Sequence, residues 1–282
     1  SKEVEIVDCL LKNGASILYS CESSSYLHDA VNSGDVTIVE LILSKGHDVN
    51  SVDSAGRTSL HCGVKTRNID ILSALLKHGA RVNIPDEMGK MPINFAVEIK
   101  HMKMVHLLLD NGADMNARGT YYGETLLHIA VKNKQIEMVQ ILLDKGADVN
   151  ACDTRKVTPL KLAIQLQTVE IVDCLLKNGA SILYPCEKSS YLHDAVNCGD
   201  LKIIKLIMNK GHNVNCVDSD GRTPFHSVVK KGNIDILPAL LKYGASVNVP
   251  DKMGKMPIHV AVEKGDDIYV KKLEEKEIQN HL

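Results

Sequence analysis

The sequence has no tryptophan and only two phenylalanines, and aromatic residues make up 4% of its 282 positions. A single thick core usually draws on large rings, so their scarcity points to a thin core of Leu, Ile, Val and Ala. No apolar run reaches the roughly 18 residues that a membrane-spanning helix needs, and no secretory leader pattern opens the chain. Neither sign of charge dominates. Lys and Arg number 33 against 35 Asp and Glu, a net charge of −2, which excludes a global drive toward nucleic acid or a membrane surface. The eight cysteines form no C-x-x-C pair and none stands at zinc spacing from a histidine. Several, such as Cys9 and Cys174, fall in apolar helical runs and read as free, mostly buried thiols suited to a reducing compartment. No Asn-x-Ser/Thr acceptor occurs, and no Gly-rich phosphate loop: each glycine is isolated.

What the chain does contain is a period. A short polar start, an apolar residue and then histidine give SYLH at 25, TSLH at 58, TLLH at 125, SYLH at 190, TPFH at 223 and MPIH at 256, with MPIN at 91 and TPLK at 158 in phase. A second marker keeps step with the first: KGHDVN at 45, HGARVN at 78, NGADMN at 111, KGADVN at 145, KGHNVN at 210 and YGASVN at 243. Each piece has a physical reason. Thr58, Thr125, Thr158 and Thr223 can cap a short first helix, and Pro159, Pro224 and Pro257 follow at the first helical position. Ile69–Leu76, Ile136–Leu143 and Ile234–Leu241 carry helical spacing and predict second helices. Gly79, Gly112, Gly146 and Gly244 end them in a left-handed cap. Asp53-x-x-Gly56 and Asp218-x-x-Gly221 are turn chemistry.

The two-part motif resembles the ankyrin repeat. Its best copies are VDSDGRTPFHSVVKKGNIDILPALLKYGASVN at 217–248 and GETLLHIAVKNKQIEMVQILLDKGADVN at 123–150, and the resemblance covers almost the full chain. It implies an all-α solenoid of stacked ankyrin repeats, each a helix-turn-helix with a β-hairpin-like finger, forming a curved rod and a single domain over 1–282. Seven full repeats are expected at about 20–52, 53–85, 86–118, 119–151, 152–184, 185–217 and 218–250. A lone second helix at 1–19 precedes them, and a partial repeat at 251–282 follows. One repeat cannot bury both helix faces, so stacked neighbours must do it for each other. The tail from Asp266 is polar, with Lys272 and Glu274 where Leu107 and Leu109 stand in an earlier repeat. It reads as a C-terminal cap, or alternatively as a lead into another domain. The chain opens on Ser1 already inside a helical pattern, as expected of a piece of a longer protein.

A higher period lies above the repeat. Residues 4–98 match 169–263 at 70 of 95 positions, so a five-repeat block has been duplicated. VEIVDCLLKNGASILY, at 4 and again at 169, is identical in both copies.

Nothing in the sequence points to catalysis. His28, His61, His128, His193, His226 and His259 recur at one repeat position, and a catalytic group is not needed six times. The resemblance implies that they form hydrogen bonds linking adjacent repeats. His101 and His106 are five apart without the metalloprotease Glu. No metal or other cofactor is expected. The asparagines of the VN endings (Asn50, Asn83, Asn116, Asn150, Asn215 and Asn248) read as braces of the finger turn, and the resemblance permits hydroxylation there.

The resemblance implies binding of another protein through finger tips and the concave face of the first helices. The exposed slots hold sixteen Lys or Arg, Arg67, Lys100 and Lys134 among them, against six Asp or Glu. A basic concave face and a partner with an acidic patch follow as expectations. The residues singled out are Arg57, Lys65, Met88, Lys90, Ile99, Tyr121, Tyr122, Lys132, Arg155, Val157, Leu166, Arg222 and Lys231. Tyr121 and Tyr122 either fill a one-residue insertion or form an aromatic anchor. The expected function is a non-catalytic interaction scaffold, monomeric and located in the cytoplasm. The alternatives are a pathogen or symbiont effector that captures a host protein and, less favoured, nucleic-acid binding through the basic face.

Overall fold

The computed structural model describes residues 2–13, 25–119, 121–182 and 190–265. The polar tail expected at 266–282, and Cys21, Cys186, Glu187 and Lys188, lie outside these residues. The chain divides into two compact units, Ser1–Asp148 and Val149–Leu282. Among the described residues the regular structure is helical, with one isolated antiparallel bridge between Val52 and Thr58.

In the first unit, α1 (Lys2–Lys12) is followed by four helix pairs. These are α2 (Tyr26–Ser33) with α3 (Val36–Ser44), α4 (Ser59–Lys65) with α5 (Ile69–Lys77), α6 (Pro92–Glu98) with α7 (Met102–Asp110), and α8 (Leu126–Lys132) with α9 (Ile136–Asp144). First helices pack in sequence, α2 on α4, α4 on α6 and α6 on α8; second helices form a parallel layer, α1 on α3, α3 on α5 and α5 on α7. The second unit holds α10 (Pro159–Gln165), α11 (Val169–Lys177), α12 (Tyr191–Cys198), α13 (Leu201–Asn209), α14 (Pro224–Lys231), α15 (Leu237–Lys242) and α16 (Pro257–Lys264). There α10 packs on α12, α12 on α14, α14 on α16, and α11 on α13.

The seam between the layers is aliphatic. Leu60, Val64, Ile71, Leu72, Leu75, Ile93, Val97, Val105 and Leu108 are wholly buried. Burying a side chain of this kind stabilises by about 1.5–3 kcal/mol, so many medium-sized residues replace the few large rings a thick core would use. Phe225 and Tyr191, in the second unit, are the largest buried side chains.

The ends of the elements are set by short polar residues. The carboxylate of Asp35 accepts from the backbone N–H groups of Thr37 and Ile38, and Asn68 does the same for Asp70 and Ile71, each fixing the start of a second helix. Gly79, Gly112, Gly146 and Gly244 adopt the left-handed conformation as expected, with φ of 86°, 85°, 93° and 82°. In the fingers, the Asp53 Oδ1 accepts from the N–H groups of Ala55 and Arg57, both at 2.9 Å, and the Asp53 N–H donates to the Arg57 carbonyl at 2.9 Å. Asp86, Asp153, Asp218 and Asp251 close their turns with the same backbone bond.

Three local expectations change. The first concerns Ile234–Leu241, which is not one α-helix: it starts as a 3-10 turn over Ile234–Ile236 before α15. Pro238 has no N–H to give and its ring crowds the preceding turn; the matching position in α5 is Ser73, and α5 is regular. The second concerns capping. The cap is reciprocal and involves histidine as well as threonine: the Thr58 side chain faces the His61 backbone N–H, while the Thr58 backbone N–H donates to His61 Nδ1 at 3.0 Å. Thr125 and Thr223 pair with His128 and His226 likewise. The Thr158 hydroxyl accepts from a backbone N–H, that of Lys161, where the histidine is missing. The third concerns the VN asparagines, which brace a different turn from the finger. Asn83 Nδ2 donates to the Gly112 carbonyl at 2.9 Å and its Oδ1 accepts from Asp114 N–H at 3.0 Å. Asn50 and Asn215 grip Gly79 with Arg81, and Gly244 with Ser246, in the same way. The braced loop is thus the one that follows the next repeat's second helix.

Candidate functional site

The recurring polar side chains are occupied by the frame. A backbone N–H can only donate, so His61 Nδ1 is an acceptor and its Nε2 carries the proton. That Nε2–H donates to the Lys90 carbonyl of the next finger at 3.0 Å. His28 reaches Arg57, His193 reaches Arg222 and His226 reaches Lys255 in the same manner, at 2.8, 2.8 and 3.0 Å. Burial pushes the pKa of His61 and of His193 below 6.5, in keeping with a neutral ring. Adjacent fingers are also joined by backbone, Glu87 N–H to Ala55 O at 3.1 Å and Lys252 N–H to Asp220 O at 2.9 Å.

Two clusters resemble reactive sites until their partners are counted. His28, Asp53 and Cys62 bring ligand atoms within 4.8 Å of one another. Both ring nitrogens of His28 are already bonded, to Ser25 Oγ and the Arg57 carbonyl. Burial alone would raise the Asp53 carboxyl, but the Arg57 guanidinium and the N–H groups of Arg57 and Ala55 outweigh it and hold it below its usual range. Burial pushes the Cys62 thiol up, away from the thiolate a metal needs. The second cluster joins Ser190 Oγ to His193 Nδ1 at 2.9 Å and to Cys216 Sγ at 3.0 Å. Burial raises the Cys216 thiol too, and His193 is committed to Arg222. Neither cluster offers an activated nucleophile.

Two repeats lack the histidine, one with Lys161 in its place and the other with Asn94. Asn94 takes the Met91 N–H at 2.8 Å, as the ring does elsewhere, and is wholly buried. Gly119 comes so close that a Cβ there would lie 2.1 Å from Asn94 Oδ1. The shorter side chain is thus matched by a closer approach of the next finger, which only glycine allows.

With this geometry in place, the chain matches a family model described as ankyrin repeats (3 copies) over residues 27–119, 93–185 and 192–281. The chain belongs to the ankyrin repeat family. It is also 37% identical, over 111 residues, to an ankyrin repeat protein of Fowlpox virus (strain NVSL), a match spanning 39% of this chain and 78% of that protein. Ankyrin repeats are in general protein-interaction modules. No helix among the described residues is long and apolar enough to cross a membrane.

The ankyrin fingers and first-helix ends hold every residue singled out from the sequence. In the first unit, Met88 and Tyr121 are 64% and 85% exposed at finger tips, and Tyr122 is exposed beside its neighbour. The two Tyr rings meet edge to face, centroids 5.4 Å apart. Lys65 and Lys90 flank the Phe95 ring, with Nζ 5.0 and 5.3 Å from its centroid. Ile99 is partly buried at the end of α6. In the second unit, Val157 and Leu166 are likewise half-buried, while Arg155 and Lys231 are exposed. A concavity of about 460 Å³ there is lined by Asn197, Arg222, Ser227, Lys230 and Lys231 among others.

Many of the cations have carboxylate partners that their sequence positions did not reveal. Arg57 and Arg155 pair with Asp53 and Asp153 at 2.8 Å, and Arg222 with Asp218 and Asp220. Lys90 pairs with Glu98 at 2.6 Å, Lys132 with Glu124 at 3.2 Å and Lys255 with Glu263 at 2.6 Å. Each of these last three joins a finger base to the end of its own first helix, eight residues on. The solvent-exposed pair Lys255–Glu263 contributes about 0–1 kcal/mol, whereas Glu124 is buried beneath Lys132; together the pairs leave fewer free charges at these positions.

The structure adds residues that the selection from sequence passed over. Gly34, Gly199, Gly232 and Gly265 end first helices in the left-handed region. The same repeat position in the remaining repeats holds Arg67, Lys100, Lys134 and Gln167, with φ of 58°, 60°, 54° and 54°. Aligning the repeats on those glycines would have found them.

Proposed function

We propose that the chain is a non-catalytic module that binds another protein through its finger tips and the ends of its first helices. The observation that carries this reading is a division of labour. Recurring His, Asp and Asn are consumed by bonds within the frame, while side chains that differ between repeats stand at the finger tips and first-helix ends of each unit. In the first unit Met88, Tyr121 and Tyr122 supply apolar area and Arg57, Lys65, Lys90 and Lys132 supply cations on the same kinds of element as Ile99; in the second, Arg155, Arg222 and Lys231 lie on the same kinds of element as Val157 and Leu166. Such a mixture favours a partner surface with an acidic patch and apolar pockets. The repeats are taken as one ankyrin domain over 1–282, acting as a monomer in the cytoplasm. A second reading, capture of a host protein by a pathogen effector, draws support from the similarity to the fowlpox virus protein.

The test is site-specific photo-crosslinking in cell extract. Crosslinkers at positions 88 and 121 should yield a discrete protein adduct, whereas those at 137 and 205, on second helices, should not. Adducts of equal strength from both sets would refute the reading.

A further inference from the structure

Arg67, Lys100 and Lys134 hold a backbone conformation that L-residues avoid and glycine adopts freely. The fold does not require a side chain there, since Gly34, Gly199, Gly232 and Gly265 make the same turn. Nor does the turn require a charge, since Gln167 makes it as well. A cation near a helix C-terminus is favourable in itself, but the second unit obtains that benefit without strain by placing Lys231 and Lys264 one position earlier. Strain kept at exposed positions where relief is one substitution away marks a site held for function.

The three cations are exposed, and among the described residues none is ion-paired. They sit in consecutive repeats, at the ends of α4, α6 and α8, which pack in that order. Packed helices lie about 8–10 Å apart, so the charges recur at roughly that interval. A polyproline-type chain advances about 3.1 Å per residue and, with three residues per turn, returns every third side chain to one face. Three residues of such a chain therefore span one step of the cation row.

We infer that Arg67, Lys100 and Lys134 form a ladder that seats a polyproline-type segment of a partner protein carrying a carboxylate at every third residue. This rests on the protein-binding reading above and names the chemistry of the segment bound.

Fluorescence anisotropy with two labelled peptides tests it. One repeats Glu-Pro-Ser three times; the other has the same composition with its three Glu contiguous. The first should bind more tightly at about 50 mM salt, where exposed charges are weakly screened. Arg67→Gln/Lys100→Gln/Lys134→Gln should weaken it about tenfold, as three exposed ion pairs allow. The triple Gly variant should lose binding equally while melting no lower than wild type. Equal affinity for the two peptides, no binding by wild type, or unchanged binding by the Gln variant would overturn the ladder. A crosslinked adduct at position 121 alongside any of those results would leave the protein-binding reading standing and remove only the ladder.

Discussion

Residues 4–98 and 169–263 differ at 25 of 95 positions, and the frame bonds are largely untouched by the differences. His28 and His193 each reach the next finger at 2.8 Å, and His61 and His226 at 3.0 Å. Asn50 and Asn215 brace matching loops. The copies part on second helices, where α3 and α13 differ at six of nine positions, and at first-helix ends. Lys65-Thr66-Arg67 becomes Lys230-Lys231-Gly232, and, just past the matched blocks, Ile99-Lys100 becomes Lys264-Gly265. In both places the cation has moved one residue back and glycine has taken the left-handed position, with φ changing little, from 58° to 76° and from 60° to 68°. Backbone shape at that point is therefore a property of the repeat, and the side chain is a separate choice. At these two places the earlier copy puts charge where the backbone resists it, and the later copy keeps the charge and removes the resistance.

The frame half of that comparison breaks first. His61→Ala strands the Thr58 N–H and the Lys90 carbonyl and opens a void, which should cost about 3 kcal/mol. His226→Ala should cost the same within about 1 kcal/mol, because its partners match; urea denaturation of each variant measures this, and a copy that tolerates the loss would show that the frames are not equivalent. Exchanging the first-helix ends should have a smaller effect of predictable sign. Gly232→Arg should destabilise by about 1 kcal/mol, while Arg67→Gly should stabilise by up to about 1 kcal/mol, the relief being partly offset by glycine's freedom in the unfolded chain. Thermal melts of both read the difference, and destabilisation by Arg67→Gly would end the strain argument. The mildest lever is pH. Burial holds His61 and His193 below 6.5, so the unfolded chain takes up protons first as pH falls. Their contribution is complete above about 6.5 and declines as pH drops through the depressed folded values. Denaturation midpoints at pH 7.5 and 5.5 should fall in that order.

Much of the frame was legible because it is repeated. TSLH and TPFH, the Gly caps and the finger Asp recur in phase, so each copy vouches for the others. What escaped was tertiary. Asn83 was readable as structural, but that it grips Gly112 rather than its own finger depends on how the next repeat stacks. Lys90 and Glu98 are eight apart, and only the fold-back of finger onto helix makes them a pair. The left-handed Arg67, Lys100 and Lys134 carry no local signal, because the usual marker of that conformation is the glycine they lack. Pro238 did carry its signal, and the 3-10 turn before α15 follows from ordinary proline sterics.

The most direct test of the division between frame and exposed tips is Tyr121→Ala/Tyr122→Ala, with melting midpoint and yield of the position-88 crosslink measured on one preparation. The account predicts an unchanged midpoint and loss of at least 1 kcal/mol of partner affinity, about a fivefold fall in adduct at limiting protein. A full adduct yield, or a midpoint that drops with it, would contradict the claim that these exposed rings serve recognition and not the fold.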